Sequence, residues 1–345
     1  MPDHDKRRPT VATISKEAGV ALSTVSRALK NDPRIAEQTR KDIAAIAERI
    51  GYRPHANART MVTGRSGLIG FIMGPSQNPF YPQLLDELVQ SASNRSLRTM
   101  VLHAGQKPLD ESAFETLIQY QMDGCIVTSA ELSSRSADIC RRFQVPVVML
   151  NRVPRLHSCA VSCNNREGAK LLAELLVAGD HKRVGIVRGT KGTSTATDRE
   201  AGAIEALRSH GLEPAALFEG CATYEGGVAA ARAVLSAATR PDAILAANDI
   251  MAMGVIDTLR DKGLSVPDDI SVVGFDDIPA AAWPHYSLTT VAQPIASMVT
   301  RALDLLEARM ASADAPPETA YISGTLRVRS SCRLPKNLEP FGIYK

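Results

Sequence analysis

The sequence predicts a small all-α head of helix-turn-helix type, followed by an α/β body made of two doubly wound parallel-sheet subdomains. In the head, three short amphipathic stretches follow one another, with a glycine turn at Gly19 between the first two. From Gly67 onward, short apolar runs alternate with helical patterns, which indicates parallel sheets covered on both faces. Charge also divides the chain, because residues 1–66 hold 13 Lys or Arg against 7 Asp or Glu, and the remainder holds 27 against 30.

The head begins with a helix that Thr10 can cap and that Gly19 can end. The run "VALSTVSRALKND" then restarts a helix, and Asn31-Asp32-Pro33 ends it. A third helix is expected over about residues 36–50, with an apolar stripe that stops at Gly51. Two helices joined by a tight glycine turn are typical of a helix-turn-helix unit, whose second helix enters the major groove of DNA.

The second helix is expected to present Leu22, Ser23, Ser26 and Arg27 outward. Arginine suits the O6 and N7 atoms of guanine, and hydroxyls suit phosphates or base edges. The basic balance of the head would attract a polyanion. A plain helical hairpin with a solvated face has the same spacing, so the pattern alone leaves both interpretations open.

The body contains seven apolar runs that are typical of buried strands, in two series separated by a break near Ser162–Arg166. The runs are "LIGFIM", "TMVLHA", "GCIVTS" and "PVVML", and then "RVGIVRG", "AILAAND" and "ISVVGFD". Helical patterns lie between them. In such folds, ligands bind beyond the carboxyl ends of the strands.

Polar and aromatic residues follow these strands, which makes this edge the candidate small-molecule site. The candidates are Asn78, Phe80, Tyr81, Ser129, Asn151, Thr195, Arg199, Asn248 and Asp276. Rings stack on the apolar faces of a hydroxyl-rich molecule, and Asp, Asn and Arg bind its hydroxyls. Strand ends are commonly polar, and Asn or Asp often caps the next helix, so each residue alone also has a structural explanation.

The sequence predicts no catalytic set, no cofactor and no metal site. Its seven histidines have no Ser or Cys partner at motif spacing, and its six cysteines are scattered. The loop "GTKGTST" lacks the Gly-Lys-Ser/Thr ending of a phosphate-binding loop. Because no apolar run reaches the roughly 18 residues that span a bilayer, and no signal peptide is recognisable, a cytoplasmic protein without a membrane partner is expected.

The head contains the motifs Ala18-Gly19-Val20, Thr24-Val25-Ser26-Arg27, Thr39-Arg40, Gly51-Tyr52-x-Pro54 and Ala58-Arg59. In this combination it strongly resembles the DNA-binding head of the lac repressor/gal repressor (LacI/GalR) family. The resemblance implies that operator DNA is contacted by Thr10, Leu22, Ser23, Thr24, Ser26, Arg27, Tyr52, Asn57, Arg59 and Met61.

The resemblance also assigns roles within this set. Leu22, Ser23 and Arg27 would touch bases, and Met61 would wedge into the minor groove from a hinge that becomes helical on DNA. Two positions depart from the family. Ala21 stands where a serine usually caps the recognition helix, which removes roughly 1 kcal/mol of capping. Leu22 is apolar, so a thymine methyl is a more suitable contact for it than a hydrogen-bonding group.

The body contains "NPFYPQLL", "LTTVAQP" and "AANDIMAMGVIDTLRDKGLSVPDDISVVGFDD", and with them it resembles the effector domain of the same family, which is of periplasmic-binding-protein type. The resemblance implies that the strand-end candidates above contact the effector. Two positions again depart from the family. Ala222 stands where several relatives stack an aromatic ring, and Asn151 stands where acids are common, which leaves the pocket less acidic.

The resemblance also implies the domain organisation. It predicts a helix-turn-helix DNA-binding domain at 8–54, a hinge at 55–66, and an effector-binding and dimerisation domain at 67–340. The last would comprise an N-subdomain of about 67–163 and 293–325 and a C-subdomain of about 164–292 and 326–340.

The sequence therefore predicts a DNA-binding transcriptional regulator of repressor type, not an enzyme, that is controlled by a sugar, polyol or sugar acid. It would bind a near-palindromic operator as a homodimer, since the ten residues after "CRLP" leave no room for the leucine heptads that make a tetramer. The alternatives are a cytoplasmic sugar-binding sensor without DNA-directed regulation and a sugar-processing enzyme.

Overall fold

The structure is a computed structural model that describes residues 9–52, 65–74, 77–103, 111–128, 142–154, 159–312 and 314–341. The chain divides into two compact units, Met1–Ser66 and Gly67–Lys345. The first contains a helical head and the second an α/β body with parallel sheets, which confirms the predicted fold class.

The head consists of three helices around a small apolar core. They are α1 (Val11–Ala18), α2 (Leu22–Ala28) and α3 (Glu37–Arg49). Their core side chains are Ile14, Val25, Ala28, Ile43 and Ala47. Because Val25 and Ala28 are the buried residues of α2, the opposite side of this helix is left for solvent.

The turn between α1 and α2 is fixed by its own residues. Gly19 adopts the left-handed conformation at φ 64° that a helix end of this type needs. The hydroxyl of Ser15 donates to the carbonyl of Val20 at 2.6 Å. The prediction that the second helix restarts at Val20 is wrong, since Ala21 is still extended and the helix begins at Leu22.

Ala21 is the N-cap of α2 and provides no side-chain hydrogen bond. We expect Ala21→Ser to stabilise α2 by about 0.5–1 kcal/mol, because a serine hydroxyl accepts one of the free amides of the first turn. Hydrogen exchange of the Ser23 and Thr24 amides, which are the two that an N-cap side chain reaches, should slow accordingly. Ala12→Ser, at an exposed position inside α1, is the matched control and should slow nothing. Equal protection in both variants would contradict the capping argument.

The body contains two parallel sheets and one short antiparallel pair. The larger sheet has the order β11-β5-β4-β3-β1-β2, the smaller one the order β7-β6-β8-β9, and β10 pairs with β12. The strands of the larger sheet are β1 (Leu68–Met73), β2 (Arg98–His103), β3 (Gly124–Thr128), β4 (Val147–Leu150), β5 (Cys159–Cys163) and β11 (Thr319–Ile322). The others are β6 (Val184–Arg188), β7 (Ala216–Glu219), β8 (Ala243–Ala246), β9 (Ser271–Val273), β10 (Thr290–Ala292) and β12 (Thr325–Arg327).

Helices cover these sheets and bury their apolar faces in the cores. The described helices are α4 (Phe80–Asn94), α5 (Glu111–Gln119), α6 (Asn165–Ala178), α7 (Ser194–Ser209), α8 (Tyr224–Ser236), α9 (Asp249–Asp261) and α10 (Ile295–Ala311), with short 3-10 turns at Pro279–Ala282 and Glu339–Phe341. Nearly all residues of β1 and β3 are buried, as is typical of strands in a parallel sheet that is covered on both faces. Within the described ranges, no helix is long and apolar enough to cross a membrane.

The carboxyl ends of the strands are the places where several of these helices begin. Thr193 caps α7 after β6, and Asn248 caps α9 after β8, each accepting a backbone amide with its side chain. Asn164 caps α6 directly after β5 in the same way. The fold therefore collects polar side chains along these edges.

Candidate functional site

The exposed face of α2 carries the predicted base-contacting residues. Leu22 is 54% exposed, although it is a large apolar side chain. Ser23, Ser26 and Arg27 are also exposed, and Thr24 is partly buried. The Arg27 side chain is exposed, and its charge acts on Asp32 without a hydrogen bond or ion pair between the two side chains. The structure thus brings an apolar, two hydroxyl and one cationic side chain together on one helical face.

Of the remaining predicted DNA contacts, Thr10 and Tyr52 lie in the described part of the head. Thr10 uses its hydroxyl to cap α1, where it accepts the amide of Thr13 at 3.3 Å, and it remains exposed. Tyr52 packs against the head core, and burial raises its pKa. Three predicted contacts, namely Asn57, Arg59 and Met61, lie outside the described residues.

In the body, an ion pair between Arg199 and Asp276 lies among the polar side chains that follow the strands. Arg199 is on α7, and Asp276 follows β9. Arg199 Nη1 lies 3.2 Å from Asp276 Oδ1, and the two residues are 6% and 4% exposed. A buried arginine–aspartate pair is net neutral, and its directed donors and acceptors suit the hydroxyls of an uncharged ligand.

Two amide side chains complete the surroundings of Asp276. Asn78 Nδ2 donates to Asp276 Oδ2 at 2.7 Å, and Gln293 Nε2 donates to Asp276 Oδ1 at 2.7 Å. Asn78 follows β1 of the larger sheet, whereas Asp276 follows β9 of the smaller one. The carboxylate therefore joins the carboxyl edges of both sheets.

Arg199 is held from several sides. Its Nε donates to Asn165 Oδ1 at 2.7 Å, and its Nη1 donates to the carbonyl of Ala247 at 2.5 Å. The ring of Phe275 lies under the guanidinium, with the carbon of the guanidinium 3.7 Å from the ring centroid. These contacts fix the direction of the guanidinium, as a recognition group requires.

Asn151, Thr195 and Asn248 also lie at strand ends. Asn151 adopts a positive φ of 62°, and its Oδ1 is buried without a hydrogen-bond partner among the described residues. Thr195 accepts from Arg152 Nη1 at 3.1 Å, so the segment after β4 contacts the start of α7. Asn248 Oδ1 accepts the Met251 amide at 3.0 Å, which is a capping role.

The two aromatic residues that were predicted to contact the effector are almost completely buried. Phe80 and Tyr81 are 1% and 7% exposed, and both belong to the main core of the body. Their rings meet edge to face at 5.3 Å. Stacking of an effector on these rings stays a prediction. Ser129 lies outside the described residues.

Burial raises the pKa of two groups near the Arg199–Asp276 pair. It raises the pKa of Asp276, and Arg199 opposes this together with the amides of Asn78 and Gln293. It also raises the pKa of Cys163 to about 11, so this thiol stays protonated and is a poor nucleophile at neutral pH.

The structure adds Asn165, Phe275 and Gln293 to the residues that the sequence predicted for the cleft. Asn165 and Gln293 donate or accept directly in the Arg199–Asp276 network, and Phe275 supports the guanidinium. A signal was present for Gln293, since it is a polar residue just after the apolar strand of "LTTVAQP". Asn165 likewise lies two residues after the end of a buried strand.

A helix-turn-helix head and a body with two parallel sheets around a polar cleft define a DNA-binding regulator with a periplasmic-binding-protein-like effector domain. The family model "Bacterial regulatory proteins, lacI family" matches residues 10–55. The model "Periplasmic binding protein-like domain" matches residues 173–332.

Individual relatives resemble nearly the whole chain. The HTH-type transcriptional repressor PurR of Mannheimia succiniciproducens is 29% identical over 94% of this chain and 98% of its own length. The ribose operon repressor of Escherichia coli is 30% identical over 93% and 99%. Among solved structures, the lac repressor dimer bound to operator and the anti-inducer ONPF has a TM-score of 0.86, with 23% identity over 94% of this chain and 99% of that one. The complex of the transcriptional regulator CelR with cellobiose has a TM-score of 0.69, with 26% identity over 94% and 100%.

The chain belongs to the LacI family. It is a DNA-binding transcriptional repressor regulated by an effector, and it belongs to a family of regulators rather than of enzymes.

Proposed function

We propose that this repressor acts in the cytoplasm as a homodimer on a near-palindromic operator, and that a hydroxyl-rich small molecule, namely a sugar, polyol or sugar acid, controls it. The dimer is supported by the likeness to the dimeric lac repressor on its operator. In a dimer, two copies of α2 would face two half-sites related by the same two-fold axis.

The observation that carries the effector class is a set of buried acceptors at the strand ends. Asn151 Oδ1 and Gln293 Oε1 are buried without a partner among the described residues, and so is the hydroxyl of Thr128, the last residue of β3. Buried polar atoms are normally hydrogen-bonded, so these positions favour a ligand that brings donors. Hydroxyl groups supply such donors, and sugars, polyols and sugar acids all carry several of them.

Two of the similar proteins are named with a sugar, namely ribose for the operon repressor and cellobiose for the CelR complex. A thermal-shift screen of ribose, cellobiose, other sugars, polyols and sugar acids tests the class directly. A footprint on the DNA upstream of the protein's own gene tests the operator. We expect one compound of this class to shift the melting temperature and to change operator affinity. A panel without any such compound would contradict the proposed class.

Coupling between the two sites is proposed to pass through the body and the hinge at 55–66. An effector between the ends of the two sheets would change how they meet, and Met61 would then gain or lose its place in the minor groove. The coupling free energy is reciprocal, so operator DNA must change effector affinity by the same factor as effector changes operator affinity. Measuring both factors also gives the sign of the regulation.

Leu22 is proposed to contact a thymine methyl group. If it does, replacing the contacted thymine by uracil removes one buried methyl, which costs about 0.8 kcal/mol, or roughly fourfold in affinity. Leu22→Ala should lose this preference and bind both operators alike. Anisotropy titrations with uracil placed at each thymine in turn measure the effect. Ser23→Ala is the matched control, and its preference for thymine should remain.

A further inference from the structure

Arg152 lies where the edges of the two sheets meet, beside the candidate effector site. It follows β4 of the larger sheet, and its Nη1 donates to the hydroxyl of Thr195 at 3.1 Å. Thr195 is at the start of α7, which follows β6 of the smaller sheet. Arg199 is four residues further along α7 and therefore on the same face of that helix. The guanidinium of Arg152 thus contacts α7 one turn before the residue that pairs with Asp276.

The backbone on both sides of Arg152 fixes this placement. Asn151 has a positive φ of 62°, a conformation that asparagine adopts more readily than most residues, so the chain turns directly after β4. On the other side, the amide of Val153 donates to Ser194 Oγ at 3.0 Å. The bonds to Ser194 and Thr195 hold this segment against the start of α7, and Arg152 is partly buried there. The fold itself therefore brings this cation to the site.

Two acids next to the site already have cations of their own. Asp276 pairs with Arg199 at 3.2 Å, and Glu200 pairs with Arg188 at 2.8 Å. Within the described ranges, no Asp or Glu forms an ion pair with Arg152. Its charge is therefore left for a group that the described part of the protein does not provide.

Two further carboxyl groups near the site do not change this balance at Arg152. Burial raises the pKa of Asp198, and the positive charges of Arg166 and Arg199 oppose this. Asp249 is completely buried, and its two oxygens accept a backbone amide and a threonine hydroxyl. Both groups are therefore engaged elsewhere.

Arg152 and Thr195 together present hydrogen-bond donors to one ligand group. A guanidinium has several N–H donors, and Arg152 uses one of them on Thr195. The Thr195 hydroxyl accepts that bond and keeps its own hydrogen for donation. Carboxylate and phosphate oxygens are the acceptors that arginine binds most strongly, often through two parallel bonds. The pair therefore suits an acid group.

We propose that Arg152 and Thr195 bind an acid group of the effector, so that the effector is a sugar or polyol with a carboxylate or phosphate group. The Arg199–Asp276 pair contacts the hydroxyl groups of the same molecule, and Arg152 contacts its oxyanion. The positive partial charge at the start of α7 acts in the same direction as Arg152. The inference rests on the proposed function, because it narrows the effector class of that same site.

Matched sets of compounds test for the acid group. Ribose, glucose and galactose are each compared with their sugar acids and with their terminal phosphate ester, by thermal shift and then by calorimetry on the full-length protein. We expect an acid member of one set to bind about tenfold or more tightly than its neutral parent. The sugar acids and the phosphate esters are separate arms, so the member that binds also identifies the acid group.

Three variants assign the preference to Arg152. Arg152→Gln removes the charge and should weaken binding of the acid member about 10- to 150-fold, toward the affinity of its neutral parent. Arg152→Lys keeps the charge and should retain part of the preference. Arg208→Gln is the matched control, since it removes the same charge from the last turn of α7, where Arg208 pairs with Glu213. It should bind both compounds like the wild type.

The outcomes distinguish this inference from the proposed function. A neutral parent that binds as tightly as its acid members overturns the inference and leaves the proposed function in place. Equal weakening of acid and neutral members in Arg152→Gln also overturns it, because Arg152 then only holds the two sheet edges together. A panel without any binding member overturns both. If Arg152→Gln melts early without any compound, Arg152→Lys decides, and an unchanged ratio of acid to neutral affinity across Arg152→Lys and Arg208→Gln overturns the inference.

Discussion

Arg27→Ala is expected to weaken operator binding by about 5- to 150-fold, because a bidentate arginine–guanine contact is worth about 1–3 kcal/mol. The guanidinium lies on the exposed face of α2 and is not tied to another described residue. Its loss should also relax the preference for one base pair in each half-site. Fluorescence anisotropy with the footprinted operator, and with variants of that base pair, measures both effects at one fixed salt concentration.

The matched control for Arg27 is Arg34→Ala in the same head. Arg34 is 75% exposed and is paired with Asp32, outside the recognition helix. Removing either arginine takes one positive charge from the head, so both variants should show a similar weakening on random DNA. Only Arg27→Ala should lose discrimination between operator and random DNA. Equal losses of discrimination in the two variants would show that α2 does not read the operator through Arg27.

The head was largely predictable from the sequence because its determinants are local. Thr10, Gly19 and the apolar residues of α1 and α3 lie within one or two turns of the features they define. The start of α2 was misplaced by the same logic, since Val20 fits a helical pattern but belongs to the turn between α1 and α2. Helical propensity does not reveal this, because the turn is fixed by a hydrogen bond from the Ser15 hydroxyl to the Val20 carbonyl.

The sequence allowed several residues of the candidate effector site to be predicted, but not the hydrogen bonds between them. Strand ends are recognisable, which is why Asn78, Arg199 and Asp276 could be selected. The bond between Asn78 and Asp276 spans 198 residues of sequence, and it depends on how two sheets meet. The bond from Arg199 to Asn165 joins residues that are 34 positions apart, so no local pattern reveals it.

Asp276→Ala is expected to abolish the response to effector, with a loss of affinity of about 100-fold or more. Two contributions add in the same direction. The effector loses the carboxylate that accepts its hydroxyls, and Arg199 remains buried without its counter-ion, a change that costs about 3–5 kcal/mol in comparable buried pairs. The melting temperature without effector should therefore also decrease. Thermal shift and calorimetry with the compound selected in the screen measure the two effects separately.

Two further variants, Asp276→Asn and Asp277→Asn, show whether the loss of effector response comes from a lost contact with the effector or from damage to the folded structure. Asp276→Asn keeps the volume of the side chain, but its amide presents hydrogens where the donors of Asn78, Gln293 and Arg199 need an acceptor. It should therefore lose effector response with less damage to folding. Asp277→Asn removes the same charge one residue further along, where the carboxylate pairs with Arg329, and it should respond to effector like the wild type. A normal response in Asp276→Asn, or equal losses in both asparagine variants, would contradict the assignment of Asp276 as the effector's acceptor.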